Sequence, residues 1–368
     1  MKEEFKVNPW EVSGSVDYNK IVREFGVDLL DQNVLSKLKD APILLRRGLY
    51  FTHRDLPQFI TDAEKGKKVS IVSGRGPSEK MHLGHLVPFI IAKYLQNKYN
   101  CNLYIPISDD EKFFVKKDLS LDQIEKFAED NILDLMAMGL NPKKTFIHKD
   151  FQYTKIYKFA SQIARKINFS TAKAVFGFEG ENNLGLIFYP AVQSAHIYLP
   201  QFLEGAHRTL VPIAIDQDPY MRILRDVADK FNFIKPSALH AKFLPGLSGN
   251  AKMSSSDSSN DVIFLSDNEE EVKRKINKYA FSGGKDTLEE HRKHGGNPDI
   301  DSSFIYLKYL FEPDDKKLAK IESDYRSGKI LSGELKAILI EKINIFLRDH
   351  QKSKEKAKKE VNKFILKD

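Results

Sequence analysis

The spacing of apolar residues changes period several times along the chain. Val69 to Val72 is a short β-branched run, and Leu103 to Ile107, Lys144 to His148 and Thr209 to Ile215 are further short runs, the pattern of buried strands. Between them apolar positions fall three and four apart. A helix is predicted from His85 through Tyr94 and beyond. A second runs from Leu121 to Met138, where Ile124, Phe127, Ala128, Ile132, Leu135 and Met136 form one stripe that Gly139 and Pro142 end. A third begins near Pro219. Strands alternating with helices predict an α/β fold on a parallel sheet.

The flanks read differently. Residues 1–60 hold Pro9-Trp10 and two helical repeats, Tyr18, Ile21, Val22, Phe25 and then Val34, Leu35, Leu38, expected as an amphipathic appendage packed on the main body. Within Leu44 to Asp55, Arg46, Arg47 and His53 have two readings, the lining of a ligand mouth or solvated charge. Residues 61–260 form the catalytic unit, with an insertion at about 150–208 that breaks the alternation. Residues 261–368 are expected to be all-helical: Leu335, Ile338, Leu339, Ile343, Phe346 and Leu347 mark a long helix that Val361, Phe364 and Ile365 continue.

Composition narrows the setting. With 58 Lys+Arg against 51 Asp+Glu, a formal charge of +7, the 368-residue chain suits an acidic polymer or nucleotide as partner, but not the coating of DNA. One cysteine, Cys101, excludes an internal disulfide and a multi-cysteine zinc site and fits a reducing compartment. The amino terminus lacks an apolar signal core and no run of about 18 apolar residues occurs. A cytosolic protein without a membrane partner is expected.

Candidate chemistry concentrates in GRGPSEKMHLGH, Gly74 to His85, between the first strand and the first helix. Gly74 and Gly76 let backbone N–H groups approach a phosphate, and the helix start adds a positive dipole end. His82 and His85 project from one side of the first turn, with Gly84 between them leaving room for a flat ring. The arrangement suits ATP and a Rossmann-like nucleotide-binding domain. Far downstream lies AKMSSSDSS, Ala251 to Ser259, a hydroxyl-rich surface loop with one lysine, Lys252. Polar clusters also follow two strands, where open α/β sheets bind ligands. In the first, Ser108 to Lys112, Glu111 is the functional candidate and the neighbouring carboxylates are read as helix capping and first-turn charge. In the second, Asp216 either accepts from a ribose hydroxyl or caps the helix near Pro219.

His82-Leu-Gly-His85 and Lys252-Met-Ser-Ser-Ser256, in that order and about 170 residues apart, resemble the paired signatures of class I aminoacyl-tRNA synthetases. LLRRGLYFTHRD, SDDEKFF, AIDQDPYMRILRD and FSGGKDTLEEHRKHGG narrow the resemblance, over nearly the whole chain, to tryptophanyl-tRNA synthetases of the eukaryotic and archaeal type. This implies a homodimer that activates tryptophan with ATP and Mg2+ and then esterifies tRNA(Trp), with no tightly bound metal or organic cofactor. It implies that His82, Gly84 and His85 hold adenosine and the α-phosphate, that Arg75 lies over the triphosphate, and that Ala214 and Asp216 meet ribose. The loop of Lys252, Met253, Ser254, Ser255 and Ser256 would close on pyrophosphate. Glu111, Gln193 and Gln217 match positions around the amino-acid ammonium group, and Lys112 one near its carboxylate. The carboxyl-terminal helices, including residues 351–368 with seven lysines against three acidic residues, would meet the tRNA backbone.

The chain departs from the eukaryotic pattern. Ser78-Glu79-Lys80 makes the phosphate loop one residue shorter, and Ser255 replaces a lysine. Eukaryotic members read the indole N–H with a tyrosine before the glycine loop and a glutamine on the next strand, where this chain has Val72 and Pro106, which do neither. Tyr189, where the family usually has phenylalanine, is the candidate substitute, against the alternative of an ordinary core aromatic. A tyrosyl-tRNA synthetase would share the ATP chemistry. A non-catalytic RNA-binding paralogue fits less well, since His82, His85 and Lys252 remain.

Overall fold

The computed structural model describes residues 6–7, 12–13, 17–250, 252–253 and 259–368; Trp10, Ser254, Ser255 and Ser256 lie outside the described residues. Two short strands, β1 (Lys6–Val7) and β2 (Val12–Ser13), pair with each other. The main sheet comprises β3 (Asp28–Leu29), β4 (Tyr50–Arg54), β5 (Val69–Val72), β6 (Asn102–Ile107), β7 (Thr145–Lys149), β8 (Arg208–Ala214) and β9 (Ser237–Ala241), in the order β3-β4-β9-β8-β5-β6-β7. From β5 to β9 all pairings are parallel, and β4 joins antiparallel to β9 and β3. The chain leaves β5 towards β6 and β7 on one side and returns to β8 and β9 on the other. The carboxyl ends of β5 and β8 therefore part around a crevice, the usual ligand position in such sheets.

Part of the stretch expected as an appendage belongs to this sheet. In β4, Thr52 pairs with His240 and His53 with Leu239. Arg54 makes two 2.7 Å hydrogen bonds to Asp218. Arg46 and Arg47 match neither of their two readings. Arg47 donates to Asp315 at 2.6 and 3.0 Å and to the carbonyls of Lys308 and Glu312 at 2.6 Å, and Arg46 joins it on Asp315. They clamp the end of β4 to the carboxyl-terminal helices, because an arginine fork satisfies a carboxylate and several carbonyls at once.

The insertion forms helices Lys155–Ala164, Phe169–Phe176 and Leu184–Glu204 around a second apolar cluster that includes Ile156, Val192 and Tyr198. The carboxyl-terminal helices are Glu269–Tyr279, Leu288–His294, Ser302–Tyr306, Asp315–Arg326 and Ser332–Ala357. Leu335, Leu339 and Ile343 of the last share one continuous core with Ile71, Leu103 and Ile147 of the sheet. That helix ends at Ala357, contrary to the expected continuation through Val361, Phe364 and Ile365. After a short turn the tail runs along β7: Ile147 donates to the Phe364 carbonyl at 2.7 Å and Leu366 donates to the Ile147 carbonyl at 2.7 Å. An edge strand offers unpaired backbone groups, and the tail satisfies them.

Candidate active site

The crevice holds a cavity of about 430 Å³, within the range of small-ligand sites. It brings together Gly74, Arg75, Gly76, His82, Gly84 and His85 from the loop after β5, and Glu111 and Lys112 after β6. Tyr189 and Gln193 come from the long insertion helix, Ala214 and Gln217 from the end of β8, and Lys252 and Met253 from the distant loop. Asp216 lies behind this lining. Its carboxylate is buried, Oδ2 accepts from Lys252 Nζ at 2.7 Å, and Oδ1 has no hydrogen-bond partner among the described residues. Asp216 does not cap the helix Asp218–Val227, whose N-cap residue is Gln217 and makes no side-chain cap bond.

The histidine pair is fixed by the helix start. His82 is the N-cap of Leu83–Tyr99; its Nδ1 accepts from Gly84 N–H at 3.2 Å, and His85 Nδ1 accepts from His82 N–H at 3.1 Å. This is a capping box built from two imidazoles. The rings stack with centroids 3.6 Å apart. Burial, and next the charge of Arg75, push His82 down to about 3 and His85 well below its ordinary range. Both rings are neutral near pH 7, and with Nδ1 accepting, each carries its hydrogen on Nε2. They are neutral donors, not cations. A Cβ at Gly84 would lie 2.9 Å from Met253 Sδ, so the room beside the backbone is taken by the distant loop. Gly84 N–H also lies 3.2 Å from that sulfur.

Arg75 extends this wall. Its backbone pairs with β6, N–H donating to the Pro106 carbonyl at 2.9 Å, so that group is committed. Its guanidinium donates to Asn131 Oδ1 at 2.9 Å; Nη2 has no partner among the described residues, and burial lowers its pKa to about 10, still cationic at neutral pH. Lys112 pairs with Glu111 at 2.9 Å. A Cβ at Gly76 would lie 2.1 Å from Lys112 Cε, so a side chain there would push the Lys112 ammonium off its present position beside Glu111.

Asp109 and Asp110 stand in the first turn of the helix Asp109–Val115, as expected, but neither caps it, since the N-cap is Ser108 with no side-chain cap bond. Both carboxyls are buried and face Asp150 beneath the cavity floor. Asp109 accepts from Phe151 N–H at 3.2 Å and Asp110 from Tyr157 Oη at 3.2 Å. Burial raises Asp109 to about 6, and burial with the Asp150 charge raises Asp110 to about 8. Next to them His196 Nε2 lies 2.9 Å from both Asp150 oxygens. His196 and Tyr220 also line the cavity and were missed from the sequence. His196 follows Tyr189 by seven residues and Gln193 by three, one helix face, and that signal was present once the helix was recognised.

A family model described as "tRNA synthetases class I (W and Y)" matches residues 64–348. The chain belongs to this family, the class I synthetases that the two signature loops and the parallel sheet define. Within it, the tryptophan–tRNA ligase of Sulfurisphaera tokodaii is 49% identical over 99% of this chain and 96% of its own. The tryptophanyl-tRNA synthetase of Plasmodium falciparum is 41% identical with a TM-score of 0.87, over 95% of this chain and 97% of that one. The Encephalitozoon cuniculi enzyme, solved bound to tryptophan, is 34% identical with a TM-score of 0.86, over 96% of this chain and 98% of that one.

Proposed function

We propose that this cavity holds ATP and tryptophan side by side and joins them as tryptophanyl-adenylate. The chain is a tryptophan–tRNA ligase by its near-full-length identity to enzymes of that name, and ATP is its co-substrate. The observation that supports the location is the contact of Met253 with Gly84, which closes the two signature segments around one space. The tryptophan carboxylate is already ionised and pyrophosphate leaves as an anion, so the reaction needs alignment and charge stabilisation rather than a side-chain base. His82 and His85 offer neutral Nε2–H donors to the α-phosphate, and Arg75 a charge to the triphosphate. ATP enters as its magnesium complex, and the ion spreads the charge of the β- and γ-phosphates. Ribose hydroxyls arriving at Asp216 displace Lys252 and free it to follow the leaving group. Glu111, Gln193 and Gln217 surround the ammonium group, and Lys112 lies near the carboxylate.

Transfer to tRNA(Trp) engages the basic carboxyl-terminal face, where Lys352, Lys356 and Lys359 are exposed. A homodimer is supported by the exposed Phe113, Phe151 and Leu184, with the two phenyl rings 6.3 Å apart, a surface that a second copy would cover; sedimentation equilibrium tests it. No helix of the described residues is long and apolar enough to cross a membrane, and a cytosolic setting accords with the tRNA substrate. Amino-acid-dependent exchange of pyrophosphate into ATP tests the whole reading. Tryptophan alone should support it; exchange with tyrosine, or with neither, would refute it.

A further inference from the structure

Tryptophan is distinguished by a single ring N–H, and burying that donor without an acceptor costs about one to two orders of magnitude in affinity. Val72 and Pro106 line the cavity and offer no acceptor side chain. The Tyr189 hydroxyl is engaged: it donates to Gln193 Oε1 at 2.6 Å and is hydrogen-bonded by Ser108. His196 is placed differently. It lies on the same helix face, lines the same cavity and is 1% exposed. Its Nε2 is 2.9 Å from both oxygens of Asp150, while its Nδ1 has no hydrogen-bond partner among the described residues.

The tautomer follows from the groups behind the ring. Asp110 and Asp150 share a hydrogen bond, and burial raises both carboxyls, Asp110 to about 8 and Asp150 well above its ordinary range, so the two hold one proton between them, which Asp110 presents to Asp150. Asp150 thus takes Asp110's hydrogen and accepts from His196 as well, so the imidazole hydrogen is on Nε2 and the lone pair on Nδ1. Burial pushes the His196 pKa down to about 4, so the ring stays neutral at working pH. We propose that His196, oriented through Nε2 by Asp150, accepts the indole N–H of tryptophan at Nδ1 and so supplies the selectivity that Val72 and Pro106 do not. This rests on reading the cavity as the tryptophan site. It also gives the cluster of Asp109, Asp110 and Asp150 a purpose: a buried carboxylate is kept as an acceptor so that one ring nitrogen stays bare.

The test compares tryptophan with 3-(benzothiophen-3-yl)alanine, which keeps the bicyclic shape and has sulfur in place of the N–H. Wild type should adenylate tryptophan about 10- to 100-fold more efficiently in kcat/KM. In His196→Phe that ratio should collapse towards one, through a raised KM for tryptophan and little change for the thiophene. His196→Gln, which keeps an acceptor, should recover part of it. A wild type indifferent to the analogue, or an unchanged ratio in His196→Phe, overturns the proposal, and activity of the variants on the thiophene reports that they are folded. Gln193→Ala separates the two readings. If it raises the KM for tryptophan while His196→Phe leaves the ratio intact, only the role of His196 falls; if it leaves the KM untouched, the pocket itself is misplaced. His148 stands with its Nε2 3.5 Å from Asp150 Oδ1 and with both ring nitrogens free of hydrogen bonds among the described residues. One divalent ion per chain in elemental analysis of purified protein, lost in His148→Phe, would mean that Nε2 of His196 binds metal and Nδ1 carries the hydrogen, which also overturns the proposal.

Discussion

Replacing Lys252 by alanine removes the single cation of the distant loop, and its effect follows from what the lysine must exchange. In the structure Nζ pairs with Asp216 at 2.7 Å and lies 5.4 Å from the Phe243 ring centroid, with its side chain 43% exposed. A pair with one partner so exposed is screened and is worth up to about 1 kcal/mol. Against the leaving pyrophosphate, a unit charge at about 4 Å and an effective dielectric of about 20 contributes roughly 4 kcal/mol. The surplus of about 3 kcal/mol is realised only as charge moves to the leaving group, so it appears in the rate. Lys252→Ala should therefore lower the adenylation rate constant by on the order of 10²-fold, with little change in the KM for tryptophan. Single-turnover rapid quench at saturating ATP and tryptophan measures it. A rate constant within about threefold of wild type would show that Lys252 stays on Asp216 throughout.

Other changes probe the frame. Arg54→Ala leaves the buried Asp218 carboxylate with His240 Nε2 at 3.2 Å and the half-exposed Arg222 at 3.8 Å as its remaining partners and should cost about 3 kcal/mol, roughly 4 °C in Tm by calorimetry, with much of it regained in the double variant with Asp218→Asn; a loss under about 1 kcal/mol would contradict this. Gly84→Ala places a Cβ 2.9 Å from Met253 Sδ and 3.1 Å from His82 Cε1, and should cut pyrophosphate exchange about tenfold or more; unchanged exchange would mean the loops need not touch. Stability should fall as pH drops below about 6.5. Burial keeps His53, His82, His85, His148, His196 and His207 neutral when folded, while the unfolded chain protonates them. Asp109, Asp110 and Asp150 are raised and act in the opposite direction, but they are fewer. The net uptake of protons on unfolding makes each pH unit cost a few kcal/mol, and a urea midpoint at pH 5.5 equal to that at pH 7 would refute it.

What the sequence disclosed was whatever local spacing encodes. β5, its glycine turn and the helix behind it were legible because one short apolar run and one capped repeat sit side by side. The polar clusters after β6 and β8 could be placed because strands end where ligands bind. Long-range pairing was not legible. Phe364 and Ile365 keep a helical spacing from Val361, and nothing near them in sequence says that the edge of β7 has backbone groups to offer. Arg46 and Arg47 read as either a ligand mouth or solvated charge because their partner, Asp315, is more than 260 residues away. Asp109 and Asp110 carry the residue type and position of first-turn charge; only the arrival of Asp150 and His196 from two other elements shows that they are buried. The same holds for Asp216, whose partner in the structure, Lys252, comes from another loop.

Tyr189, Gln193 and His196 ride on one insertion helix, whereas the groups facing the phosphates come from loops on the sheet. Division of labour between a scaffold and an added helix decouples two kinds of inheritance. With the cavity read as the tryptophan site, substitutions on that face would retune which side chain fits and leave the helix start of His82 and His85 in place. An engineer seeking to admit a new aromatic amino acid would accordingly randomise about two turns of helix.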